Sequence, residues 1–206
     1  MEPNRASTAG AIDLCGDLRQ FFRQILGSVR RNHDYPATSA AETYLAALLA
    51  DKAHPEQTEQ SFNRPLTLLL QEALSAVGMD RFERLRGLGD EVLYLTGFFS
   101  DHLSARGIAQ DYVEQLGARA YATAGRMFAS DRRDASQVLD ELAENFSMFA
   151  ALVHDVSDTL RVHAVRSPQA LIAVYEQWLR TGSSALAAGL ASRGLVPVRG
   201  RSGVVN

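Results

Sequence analysis

Apolar side chains recur at three- and four-residue steps through most of the chain, the period of one helix face. Ile12, Cys15, Leu18, Phe22, Ile25 and Val29 form the first stripe and predict a helix over 11–31, which His33-Asp34-Tyr35-Pro36 ends. Ser39 followed by Glu42 has the spacing of a capping box, so a second helix is expected over 40–53, burying Tyr44, Leu45, Leu48 and Leu49. His54-Pro55 stops it, because proline disfavours helix in the residue before it. Residues 55–62 read as polar loop. Asn63 is the expected cap of a third helix, with Pro65 in its first turn and Leu66, Leu69, Leu70 and Leu74 inward. Gly78 should close that helix. Asp80 then opens a short turn through Arg86, and Gly87-Leu88-Gly89 interrupts the pattern. Asp90 should cap the next helix, to Leu103. With Val92, Leu93, Tyr94, Leu95, Phe98 and Phe99 it is apolar nearly all round, which places it in the middle of a bundle.

Three long helices complete the reading. Ile108, Tyr112, Leu116, Ala120, Thr123 and Met127 mark one over 107–129. Asp134 should cap another to 163, with Val138, Leu142, Phe146, Phe149, Val153, Val156 and Leu160 inward. Ser167-Pro168 pairs an N-cap with proline at the first helical position. The stripe that follows is Leu171, Tyr175, Trp178, Gly182, Leu186 and Leu190, with Gly194 past its end. No segment alternates as a strand would. The expected fold is all-α: a single-domain bundle of about seven helices over 10–195, built round the helix near 90–103. Residues 11–53 could form a separate N-terminal hairpin, and 1–9 and 196–206 should fray.

Composition narrows the function more by exclusion than by pointing. The 206 residues are 46% hydrophobic and 22% charged, which suits one packed core rather than a disordered chain. A net charge of −3 gives no general attraction to nucleic acid. The single cysteine, Cys15, excludes an internal disulfide and a cysteine-based metal site. Met-Glu-Pro-Asn-Arg lacks the charged-then-apolar order of a secretory signal, and no run approaches the roughly 18 apolar residues of a membrane span. These features give the expectation of the cytoplasm of a bacterium-like cell, and arginine in place of nearly all lysine reads as GC-rich coding.

Candidate chemistry is sparse. Di-iron bundles need Glu-x-x-His pairs on two helices, and the nearest match here is Asp51-x-x-His54, at a helix end. His33, His54, His102, His154 and His163 never fall four apart, so no metal site and no cofactor is expected. His154 and Asp158 are spaced as an i,i+4 pair. With Glu144, Ser147 and Ala151 they are expected on the solvated face of their helix. Cys15 lies on an apolar stripe, as a buried thiol would. There is no Gly-x-Ser-x-Gly elbow and no Gly-x-Gly-x-x-Gly or Walker pattern. Thr181-Gly182-Ser183-Ser184 has the composition of a loop, but within its stripe it reads as a small-residue patch where another helix approaches.

The most distinctive segment is Leu88-Gly-Asp-Glu-Val-Leu-Tyr-Leu-Thr-Gly-Phe-Phe99. It could line a cavity with Tyr94, Thr96, Phe98 and His102, or it could be a core helix whose Asp90 and Glu91 answer the helix dipole. Together with Tyr175-Glu-Gln-Trp-Leu-Arg-Thr-Gly-Ser183 it resembles an uncharacterised bacterial all-helical family, over roughly 40–195. That resemblance implies a helical fold and no activity, cofactor or site residue. The 11–31 helix sets Arg19, Arg23, Arg30 and Arg31 round a face with Phe21 and Phe22. Such a helix could touch a membrane surface or a partner, although Asp13 and Asp17 lower its charge. The leading expectation is a non-enzymatic helical protein acting through protein contacts, as a homo-oligomer or a subunit of an assembly. The alternative is a small-molecule-binding or enzymatic bundle whose cavity is lined by Tyr94, Phe98, Tyr112, His154 and Trp178.

Overall fold

The computed structural model describes residues 14–53, 65–127 and 133–197. The expected Ile12 anchor, the Asn63 cap, the 54–62 loop and the chain ends 1–9 and 198–206 lie outside the described residues. So do the side chains of Cys15, His102 and Asp134. Every regular element described is a helix. In chain order they are α1 (Leu14–His33), α2 (Ser39–Lys52), α3 (Leu66–Ser75), α4 (Gly78–Phe98) and α5 (Ser100–Ala105). They continue as α6 (Gln110–Met127), α7 (Arg133–Glu144), α8 (Phe146–Ala164), α9 (Pro168–Thr181) and α10 (Ser184–Ser192). None is long and apolar enough to cross a membrane.

The central helix is where the hydropathy pattern placed it. Every residue from Glu91 to Gly97 of α4 is buried, and α4 packs against α3, α6 and α8. It does not begin at Asp90, however. The helix runs from Gly78 straight through Gly87-Leu88-Gly89, which were expected to break it. Gly89 is there for proximity: a Cβ on it would lie 2.5 Å from the ring of Tyr121. Gly97 has the same role against α8, where a Cβ would come 2.3 Å from Val153 Cγ1. Two other expected helices each divide. The 134–163 helix breaks at Asn145 (φ −116°, ψ 32°), giving α7 and α8. The one after Ser167 breaks at Gly182, whose φ of +71° is the left-handed conformation that stops a helix. The expected 90–103 helix also stops short of Leu103, with Phe99 (φ −128°, ψ 28°) as its C-cap and α5 following as a separate helix, so ten described helices replace the expected seven.

The second helix starts one residue earlier than its sequence signature. Thr38, not Ser39, is the cap: its Oγ1 accepts from Ala41 N at 3.1 Å and donates to Glu141 Oε2 at 2.6 Å. Glu42 closes no capping box and instead accepts from Arg30 Nε at 3.0 Å, tying α2 to α1. Thr38→Ala should therefore cost about 1–2 kcal/mol, whereas Ser39→Ala should stay within about 0.5 kcal/mol of the parent. Urea midpoints of the two variants check this, and equal midpoints would contradict the assignment.

Two apolar clusters hold the molecule. The larger joins α1 to α8 and includes Leu26, Leu45, Leu49, Val92, Tyr121 and Phe149. The smaller gathers Val162 and Val165 at the end of α8 with Val174 and Trp178 of α9 and Leu186 and Leu190 of α10. Trp178, expected against the 90–103 or the 134–163 helix, is buried on the second of these, at its C-terminal end.

Candidate functional site

Helices α1, α8 and α10 enclose an open cleft of about 730 Å³. Its floor is apolar: Ile25 and Val29 from α1, Val162 from α8, and Ala185, Ala188 and Gly189 from α10. Gly189 seats α10 directly on α8, since a Cβ there would lie 2.5 Å from Val162 Cγ2. The rim is polar and divides between two ends. Asn32, His33, Thr159 and Ser184 form one, and Gln24, Ser28, His163, Ser192 and Arg193 are the remaining polar lining.

The His33 end is built by the termination of α1. The chain reverses after His33, with Asp34 at φ +54° and Tyr35 N donating to Arg30 O at 3.0 Å. The Tyr35 ring stacks on His33 at 5.9 Å between centroids, and its hydroxyl donates to Asp155 Oδ2 at 2.8 Å. Burial, together with that hydrogen bond to Asp155, raises the Tyr35 phenol above its ordinary range, so it stays protonated as a donor. His33 Nδ1 lies 3.6 Å from Asp155 Oδ2 and 3.4 Å from Ser184 Oγ. A Ser-His-Asp relay needs the carboxylate and the hydroxyl on opposite ring nitrogens. Here both address Nδ1, so the three side chains meet without forming that relay. At the other end, Arg193 donates to Val162 O at 2.7 Å and Val165 O at 3.2 Å, capping α8 while bringing its charge to the rim.

Behind the cleft lies a carboxyl that periodicity misplaced. Asp158 was expected on a solvated face but is 0% exposed, because α10 folds back over the C-terminal half of α8. Glu144, Ser147 and Ala151, further toward the N-terminus, are exposed as expected. Neither Asp158 oxygen meets a described donor in good hydrogen-bond geometry, although Ser183 approaches the carboxyl and His154 Nε2 stands 3.6 Å from Oδ2. Burial raises the Asp158 carboxyl above its usual range, opposed by Ser183 and then by the charge of His154. A raised folded-state pKa favours folding when the group is protonated, and that contribution is lost as pH climbs through the folded value. Above the folded value the ionised carboxylate is therefore a liability. Asp158→Asn should raise the melting temperature at pH 7 by a few degrees, taking about 1–2 kcal/mol for an unpaired buried group and roughly 2–4 °C per kcal/mol. The gain should shrink as pH falls toward about 4, where both proteins carry an uncharged side chain. A lower melting temperature across that range would refute it.

A second polar group lies under α4. Tyr44 and Tyr121 both donate to Asp90 Oδ1, at 2.5 and 2.8 Å, and Arg86 stands 3.8 Å from Oδ2. Burial raises the Asp90 carboxyl, against the two phenol hydrogen bonds that lower it. Lys52 pairs with Glu91 at 2.5 Å and lies over the Tyr94 ring at 5.8 Å. These contacts join α2, α4 and α6. A smaller pocket of about 270 Å³, lined by Tyr44, Phe82 and Arg86 among others, opens beside them.

The five residues singled out from the sequence do not share one cavity. Tyr94 is buried, with Phe98 5.0 Å and Phe99 5.6 Å from its ring. His154 Nδ1 reaches Gly97 O at 3.1 Å, close to that aromatic group. Tyr112 is 65% exposed on α6, and Trp178 belongs to the C-terminal cluster. Thr96 spends its hydroxyl on Val92 O and Leu93 O inside α4. None of these residues lines the cleft. His33 and Ser184 were missed because they are 151 positions apart. The available signal was the loop-like Thr181-Gly182-Ser183-Ser184, whose break turns Ser184 toward α1. No family model, curated protein or solved structure matches the chain. Among the described residues, no three His, Cys, Asp or Glu side chains gather to hold a metal ion.

Proposed function

We propose that this chain is a helical small-molecule-binding protein whose ligand occupies the cleft between α1, α8 and α10. The observation that carries the reading is the cleft's make-up: about 730 Å³, within the range of ligand sites, with an apolar floor and polar side chains converging from three helices. Binding without turnover is favoured over catalysis by the shared use of His33 Nδ1, which places the Asp155 carboxylate on the nitrogen that faces Ser184 rather than on the opposite one. The ligand's apolar body lies on Ile25, Val29 and Val162, and hydrogen bonds at the rim orient it.

Native mass spectrometry of protein purified from its own source tests this. The parent should carry a retained small molecule. Ala188→Trp, which fills the cleft from an exposed position on α10, should lose it while keeping the parent's melting temperature in the ligand-free form. Equal retention by the two proteins, or none by the parent, would overturn the assignment. The same spectra report copy number, the quantity on which the protein-contact expectation rests.

A further inference from the structure

The cleft's two ends differ in charge, and the difference selects a class of ligand. Among the described residues no acidic side chain lines it, whereas Arg193, His163 and His33 do. His33 is the one already answered by a carboxylate, since Asp155 lies 3.6 Å behind it. Ser184 contacts His33, so the start of α10 lies at the His33 end. Arg193 follows the other end of α10 and is fixed to the carbonyls of Val162 and Val165. Its guanidinium cannot lose its charge, and no carboxylate among the described lining residues neutralises it there. The lining residues of α1 run from Gln24 to His33, a rise of about 13 Å at 1.5 Å per residue. Between the ends the floor is aliphatic.

Resting on the assignment of the cleft as a ligand site, we propose that it binds an amphipathic monoanion: an aliphatic carboxylate of about eight to ten carbons. The carboxylate lies at Arg193 and His163. The chain runs over Val162, Ala188 and Ile25 toward the end formed by Asn32, His33 and Ser184. A longer chain would leave the cleft, and a cation would meet Arg193 without a counter-charge.

Isothermal titration of the intact protein with octanoate, octanol and octyltrimethylammonium tests the charge preference. Octanoate should bind at least ten-fold more tightly than octanol, about 1.4 kcal/mol, and the cation should give no heat. His163→Gln and Arg193→Gln should each weaken octanoate several-fold and leave octanol unchanged. Arg193 also caps α8, so His163→Gln, on an exposed side chain, keeps the test valid if the arginine variant fails to fold. Ala188→Trp should abolish both ligands. Equal binding of octanoate and octanol, both lost in Ala188→Trp, would overturn the anion assignment and leave the cleft standing. Octanoate binding that survives Ala188→Trp, or no binding by any of the three probes, would overturn this proposal. Whether the cleft itself fails is then decided by retention of the native ligand.

Discussion

Trp178→Ala should lose about 3–5 kcal/mol, and the loss should fall on the C-terminal part of the molecule. Trp178 is 6% exposed and belongs to the smaller cluster with Val162, Val165, Val174, Leu186 and Leu190. That cluster is what holds α9 and α10 on the end of α8. Truncation should therefore release the amides of α9 and α10 to fast hydrogen exchange while those of α4 and α6 keep their protection. Loss of that size is a large share of a typical domain stability of about 5–15 kcal/mol, so yield should fall as well. His154→Ala should cost less, about 1–2 kcal/mol, but more than the near-zero value its expected solvated position implied. It removes the ring that faces Gly97 O and that stands 3.6 Å from buried Asp158 Oδ2. Parallel denaturant melts compare the two. A His154→Ala cost equal to that of Trp178→Ala would mean that the two clusters are one cooperative unit.

What the sequence made legible was the material that repeats. Stripes at helical spacing located the apolar faces of α1, α2 and α8, and the unbroken run from Val92 to Leu95 announced its own burial. On α6 the buried face is instead Val113, Gly117, Ala120, Tyr121 and Ala124, with Tyr112, and Ile108 just before the helix, exposed; Leu74 of α3 is exposed as well. Glycines were read the wrong way round. Gly89 was read as a break, yet it lies inside α4 to admit Tyr121. Gly182 was read as a close-packing residue, yet it carries the left-handed turn that ends α9. Periodicity cannot separate the two uses, because the first depends on a ring 32 positions away and the second on local backbone. Asn145 gave no recognisable stop signal at all. The cleft was hidden for a related reason. Its walls meet only after α10 reverses at Gly182 and folds back over α8, and that reversal also buries Asp158. A helix continued through 182 would have carried Ser184 away from His33.

The largest effect should come from Tyr121, which is 0% exposed. Its ring lies on the Cα of Gly89, 6.4 Å from the Tyr44 ring and 5.9 Å from that of Phe146. Tyr121→Ala empties the junction of α4 and α6 and removes one of the two phenols on Asp90. The cavity alone costs about 3–5 kcal/mol, and a buried carboxylate stripped of a donor adds about 1–3 kcal/mol. Tyr121→Phe separates the two contributions, since it keeps the ring and removes only the hydroxyl, for about 1–3 kcal/mol. The small residue opposite sets a further condition. Gly89→Ala keeps every hydrogen bond but forces a methyl group to within 2.5 Å of the ring, so it should destabilise the parent. In the Tyr121→Ala background the same methyl group meets the vacated space, and alanine's helix propensity should make Gly89→Ala neutral or stabilising there. A double-mutant cycle from urea melts reads this as a coupling energy between positions 89 and 121 that exceeds about 1 kcal/mol. Additive effects would show that Gly89 is small for some reason other than the ring above it.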